Sequence, residues 1–103
     1  MADELVIVAG TFTVDPARRA EFLEGRLESI RASREDRGCL EYAMSADAAD
    51  PALVRLFEMW TSLADLQAHV QRIQASPPAE GGVPVLARDM KIYVHAEEQA
   101  FGA

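Results

Sequence analysis

Two segments of this sequence predict β-strands that are apolar on both faces, and this feature limits the folds open to the chain. Residues 5–14 are rich in β-branched side chains, and their alternation puts Ile7 on one face and Val6 on the other. Residues 53–60 divide in the same way. Because a large exposed apolar surface usually marks an interface, the sheet built from these strands needs cover on both sides.

A helix is predicted to follow the first strand. Asp15 suits its N-cap, because the carboxylate can accept free backbone N–H groups, and Pro16 suits its first turn. Gly38 is expected to end it. Apolar residues at helical spacing form one stripe: Ala20, Leu23, Leu27 and Ile30.

The remainder of the chain predicts two further strands and a second helix. Leu40, Tyr42 and Met44 alternate with other residues and indicate a strand before residues 53–60. Ser62 followed by Asp65 resembles a capping box. The stripe of the second helix is predicted to be Leu63, Leu66, Val70 and Ile73.

Proline and glycine are concentrated in residues 76–87, which we interpret as a loop. Met90, Ile92 and Val94 alternate after it and predict the last strand. We expect residues 97–103 to be frayed. The element order is therefore β-α-β-β-α-β, a single domain over residues 1–103 of the α+β class.

This order predicts a ferredoxin-like fold, in which both helices cover one face of an antiparallel sheet. The opposite face would then be bare although three strands carry large apolar residues on it. A second copy of the sheet is the simplest cover, and two-fold homodimers are the commonest assemblies. The sequence therefore predicts a homodimer.

Charge and composition exclude several classes of protein. The formal net charge is −7, so nucleic acid and anionic membranes are not expected partners. No apolar run is long enough to span a bilayer. The single cysteine and the acidic start of the chain indicate a reduced, cytoplasmic protein. No His, Cys and carboxylate spacing suggests a metal site, and no glycine-rich phosphate loop follows a strand.

Few residues are candidates for chemistry. His69 lies at the edge of the second helical stripe, where an imidazole could take a proton from an acidic carbon or a phenol. It could equally be a boundary histidine that only packs, beside Asp65. Trp60 is either a core residue or a flat wall of a pocket. Glu58 shares its face and needs a partner if buried. Tyr42 is interpreted as a core or interface residue.

Two motifs give the chain a resemblance to a known family. The first is Gly-Cys-Leu-Glu-Tyr at residues 38–42, and the second is Phe-Glu-Met-Trp-Thr-Ser at residues 57–62, followed by Asp65, Leu66 and His69. Together with the element order, they resemble the antibiotic-biosynthesis monooxygenase superfamily of dimeric α/β barrels. The resemblance runs from about residue 5 to residue 77.

The resemblance implies a barrel formed by two sheets across a dimer, with a pocket between helices and sheet in each subunit. Members of the family oxidise anthrones or quinols with molecular oxygen, without metal or flavin. It implies that His69 is the catalytic base, and that Trp60, Glu58 and Tyr42 contact a small aromatic substrate. The expected function is a monooxygenase that requires no cofactor.

Two departures from the family pattern keep an alternative open. Many members carry a second histidine after a Ser-Pro pair, where this chain has Pro78. The haem-degrading branch uses an asparagine, and this sequence contains none; haem degradation is therefore not expected. The alternative is a non-catalytic module that binds a small ligand or a partner on the same dimeric scaffold.

Overall fold

The chain folds into four strands and three α-helices, and the computed structural model describes residues 4–76 and 82–102. The strands are β1 (Val6–Thr13), β2 (Cys39–Ala46), β3 (Leu53–Trp60) and β4 (Ala87–Tyr93). The helices are α1 (Arg19–Glu24), α2 (Leu27–Arg34) and α3 (Leu63–Ala75), and a short 3-10 turn (Pro16–Arg18) precedes α1.

The strands form one antiparallel sheet in the order β2-β3-β1-β4. This arrangement confirms the predicted ferredoxin-like plan. The buried core lies on one face of the sheet, and its completely enclosed side chains include Trp60, Val6, Val14 and Val54. The packing of α2 on β2 and of α3 on β3 covers this face.

The single helix predicted after β1 is broken into three parts. Asp15 accepts a hydrogen bond from the backbone of Ala17, as its position suggested, but helix α1 ends at Glu24 with Gly25 as its C-cap. The break changes the helical phase, so the predicted stripe is only partly correct. Ile30 is buried, whereas Leu27 is 46% exposed.

Helix α3 begins as predicted, because the Ser62 hydroxyl accepts a hydrogen bond from the backbone N–H of Asp65. Its stripe was predicted less well. Leu66 and His69 are buried, but Leu63, Val70 and Ile73 are 38–41% exposed.

Strand β4 begins earlier than the sequence indicated, and Val94 lies outside it. The predicted loop over residues 76–87 falls partly on residues 77–81, which lie outside the described ranges. Residues 97–102 have no helix or strand and are exposed, as expected of the tail.

The face of the sheet opposite the helices carries a continuous apolar row. Ile7 on β1 pairs with Met59 on β3 and with Tyr93 on β4, and Ala9 pairs with Phe57. These side chains are half-buried or exposed. The sheet is therefore apolar on both faces, as the sequence predicted.

Two features fix the start and the edge of β2. Gly38 has φ +81°, and a Cβ at this position would collide with the side chain of Asp65, so a glycine is required there. The Nε of Arg34 donates a hydrogen bond of 2.8 Å to the backbone carbonyl of Tyr42, in the middle of this edge strand.

Candidate functional site

A row of four side chains crosses the helix-covered face of the sheet. Tyr42 on β2 pairs with Glu58 on β3, Glu58 with Val8 on β1, and Val8 with Ile92 on β4. Tyr42 and Glu58 are buried, Val8 is partly buried and Ile92 is 51% exposed. Along this row the helices therefore cover β2 and β3 fully, cover β1 in part and leave this position of β4 exposed.

His69 lies above this row with both ring nitrogens facing carboxylates. Its Nδ1 atom is 2.7 Å from Oδ2 of Asp36, and its Nε2 atom is 3.9 Å from Oε1 of Glu58. The side chain is 5% exposed. The expectation of a boundary histidine beside Asp65 is thus wrong, because the ring is enclosed and its partner is Asp36.

Asp36 is anchored from a second direction by Arg72, one turn after His69 on α3. The guanidinium Nε and Nη2 atoms of Arg72 donate to the Asp36 carboxylate at 2.8–3.1 Å. Burial alone would raise the pKa of Asp36, but the hydrogen bonds from Arg72 and His69 outweigh it and hold this pKa below its usual value. Asp36 is therefore an anion that orients the imidazole ring.

Glu58 is buried within the same network. The indole Nε1–H of Trp60 donates a hydrogen bond of 2.9 Å to its Oε1 atom. Burial raises the pKa of the Glu58 carboxyl, and the Trp60 hydrogen bond and nearby His69 only partly oppose this. A carboxyl group with a raised pKa keeps its proton to higher pH than an ordinary glutamic acid does.

Aromatic rings enclose His69 on two sides. The Trp60 ring centroid lies 4.6 Å from that of His69 at an angle of 39°, and the Tyr42 ring lies 5.6 Å away. Burial, together with the nearby Glu58, raises the pKa of the Tyr42 phenol, so this group stays protonated. Trp60 is completely buried, and in this chain alone it packs against the imidazole as a core residue.

A surface groove of about 330 Å³ borders the network at the β2 edge, where it is lined by Arg34, Cys39, Leu40, Glu41, Tyr42 and Ala43. Among the residues that line this groove, Tyr42 is the one whose ring also contacts the His69 ring. Burial, followed by the charges of Glu58 and Asp36, raises the pKa of the Cys39 thiol, which makes it a poor nucleophile. The groove therefore offers a concave surface without a reactive group.

All four residues that the sequence singled out are brought together: His69, Trp60, Glu58 and Tyr42. Two partners were missed, Asp36 and Arg72. Arg72 could have been noticed, because residues three apart on a helix share a face. Asp36 carried no comparable signal, since it lies 33 positions from His69 in the chain.

Within residues 4–76 and 82–102, no cluster of three or more His, Cys, Asp or Glu side chains is placed to hold a metal ion. In the same ranges, every enclosed side-chain nitrogen or oxygen has a hydrogen-bond partner. None of the helices described there is both long and apolar enough to cross a membrane.

Comparison with known proteins places most of the chain in one family. Residues 5–76 match the family described as antibiotic biosynthesis monooxygenase. A relative from Synechocystis, described as an uncharacterised protein, is 32% identical over 100 residues, which are 95% of this chain and 68% of the relative.

Solved structures share the fold. A proposed antibiotic biosynthesis monooxygenase from Deinococcus radiodurans superposes with a TM-score of 0.76 at 23% identity, covering 95% of this chain and 99% of that one. A Pseudomonas aeruginosa protein gives a TM-score of 0.70 at 22% identity, covering 93% and 98%. At these identities, the likeness establishes the architecture and leaves the chemistry to the site.

Proposed function

Since the chain belongs to the antibiotic biosynthesis monooxygenase family, we propose that it oxidises a quinol, an anthrone or a similar polyphenolic aromatic with molecular oxygen and without a cofactor. One observation carries this proposal: a buried histidine is held by an ionised aspartate at Nδ1 and directs Nε2 towards Glu58. An imidazole oriented in this way is suited to act as a base, because the aspartate stabilises the imidazolium that forms.

The substrate itself supplies the electrons in such a reaction. Removal of a phenolic or benzylic proton gives an electron-rich anion that can reduce oxygen. For a quinol with a free ring position, quinol and O₂ give a hydroxyquinone and water. For an anthrone, a CH₂ group and O₂ give a carbonyl and water. In both cases one oxygen atom enters the product and the other leaves as water, so no external reductant is needed.

Apolar side chains at the open end of the cross-strand row support the binding of an aromatic molecule. On the sheet, Val8 is partly buried and Ile92 is half-exposed. On α3, helical spacing puts Leu63 and Val70 on the side away from Arg72, which reaches Asp36 near α2. A flat substrate between these two surfaces would lie next to Glu58, with Trp60 and Tyr42 behind it.

The open face of the sheet supports assembly of two copies. Its apolar row includes Ile7, Phe57, Met59 and Tyr93, and the family resemblance implies a barrel made of two facing sheets. A homodimer would cover this row by the same self-complementary contact on both chains. A cytoplasmic location remains a prediction from the lone cysteine.

A non-catalytic binding module is the second candidate, and a specific observation favours it. His69, Glu58 and Trp60 are between 0% and 6% exposed, and hydrogen bonds already join His69 to Asp36 and Trp60 to Glu58. A network of this kind could serve stability alone. The 330 Å³ groove at the β2 edge would then be the place where a ligand binds.

Oxygen uptake distinguishes the two candidates. The purified protein is incubated with a panel of quinols and anthrones, and oxygen consumption and product are followed by electrode and mass spectrometry. A catalyst should incorporate one atom of ¹⁸O₂ per turnover, and His69→Gln should abolish this while retaining the fold. Binding without oxygen uptake, unaltered by His69→Gln, would favour the binding module.

A further inference from the structure

We infer that Glu58 carries the proton of the substrate to His69, so that the two side chains form one relay fixed at its far end by Asp36 and Arg72. The identity of the proton donor rests on the proposed oxidation. The relay itself rests on the arrangement of these four side chains, which can be tested without any substrate.

The geometry makes direct contact between a substrate and His69 unfavourable. One ring nitrogen is occupied by Asp36 at 2.7 Å, and the other faces Oε1 of Glu58 at 3.9 Å. Trp60 and Tyr42 flank the ring. Glu58, in contrast, adjoins Val8, where the helical cover begins to thin. A proton from a substrate on the Val8 side of the sheet would therefore meet the carboxyl group of Glu58 before it could reach the imidazole.

The charges of the cluster favour one proton shared by this pair. Asp36 and Arg72 neutralise each other through three contacts of 2.8–3.1 Å. Glu58 and His69 then carry no net charge as a pair. One proton lies between them, either on the Glu58 carboxyl or on Nε2 of His69. The other titratable groups close to the pair are the Tyr42 phenol and the Cys39 thiol on β2, whereas β1 contributes the apolar Val8.

The transfer conserves protons and charge. The substrate O–H or C–H gives its proton to Oε2 of Glu58, while the carboxyl proton on Oε1 passes to Nε2 of His69. The products are the substrate anion and an imidazolium paired with Asp36, and Glu58 is again a neutral acid. The gap of 3.9 Å between Oε1 and Nε2 exceeds a hydrogen bond by about 1 Å. Contacts of this kind are commonly long without substrate and shorten in the complex.

The first test needs no activity. Nitrogen-15 NMR of the His69 ring should show Nδ1 protonated and Nε2 unprotonated, since Nδ1 faces the Asp36 carboxylate at 2.7 Å. Asp36→Asn should move the proton to Nε2, because an amide can donate to Nδ1 whereas a carboxylate cannot. Asp65→Asn is the matched control, since Asp65 contacts Thr61 and Arg37 instead. A wild-type Nε2–H would overturn the relay.

The second test uses turnover. Glu58→Gln keeps an oxygen for the Trp60 hydrogen bond but cannot pass on a proton, so turnover should fall by about a hundredfold or more. Glu28→Gln, on the exposed side of α2, should have no effect. Full turnover in Glu58→Gln would overturn the relay and leave the oxidation intact. The expected His69 tautomer, together with its change in Asp36→Asn, in a protein that oxidises nothing would support the relay and remove the proposed function.

Discussion

The Nδ1 atom of His69 lies 2.7 Å from Oδ2 of Asp36, although the two residues are separated by 33 positions in the chain. Asp36 follows the end of α2, where its backbone N–H donates to the carbonyl of Ser33. His69 is in the middle of α3. The contact therefore ties the end of α2 to α3 and also sets the orientation of the imidazole ring.

The enclosure of His69 predicts a measurable loss of stability when the ring is removed. His69→Ala would leave a cavity beside Trp60 and remove the partner of Asp36, so we expect a loss of about 2–4 kcal/mol. Chemical denaturation measures it. His69→Gln, which keeps polar atoms in the space, should cost less and is therefore the better variant for activity. Equal stability of His69→Ala and the wild type would contradict the enclosed position.

Glu58 predicts a dependence of stability on pH with a definite sign. Its folded-state pKa is raised above the ordinary value of 4.5, so its favourable contribution is present below pH 4.5 and is lost as pH rises through the folded-state pKa. Glu58→Gln cannot ionise and should gain stability relative to the wild type over this interval. Urea unfolding at a series of pH values provides the comparison. A difference that stays constant with pH would mean that the carboxyl group is not perturbed.

The two faces of the sheet predict opposite outcomes for two aspartate substitutions. Val6→Asp places a charge in the helix-covered core, where Val6 is 1% exposed, and should prevent folding. Phe57→Asp places it on the open face and should leave a folded monomer. Sedimentation of the wild type should give twice the chain mass. A wild-type monomer, or an unchanged mass in Phe57→Asp, would remove the sheet-to-sheet dimer.

Gly38 and Gly25 allow a comparison of how an alanine affects stability at a strained and at an ordinary backbone conformation. Gly38→Ala forces an L side chain into φ +81° and against Asp65, so a loss of about 1–3 kcal/mol is expected. Gly25 has helical backbone angles, and a Cβ atom added there would meet its nearest neighbour, the carbonyl oxygen of Glu21, at 3.4 Å. Gly25→Ala should therefore be tolerated or slightly stabilising. Thermal unfolding of both variants measures the difference. Similar melting temperatures would show that the α2–β2 connection can relax.

Local patterns in the sequence predicted β1 and β3 well, because both are runs of β-branched and other apolar residues bounded by caps and turns. The first helical region was predicted less well, since the apolar spacing continues through the break at Gly25 and only tertiary packing reveals the change of phase. The same limit applies to the site. Glu58, Trp60 and His69 were found from position on strand and helix, whereas Asp36 joins them only through the folding of α2 against α3.

Arg34 has a consequence for how this protein behaves in a crowded solution. Strand β2 is an outer strand, and its unsatisfied carbonyls could otherwise template the addition of a foreign strand. By donating to the carbonyl of Tyr42, the Arg34 guanidinium places a bulky cation at the middle of that edge. With this carbonyl occupied and a cation beside it, a foreign strand is expected to pair less readily along β2.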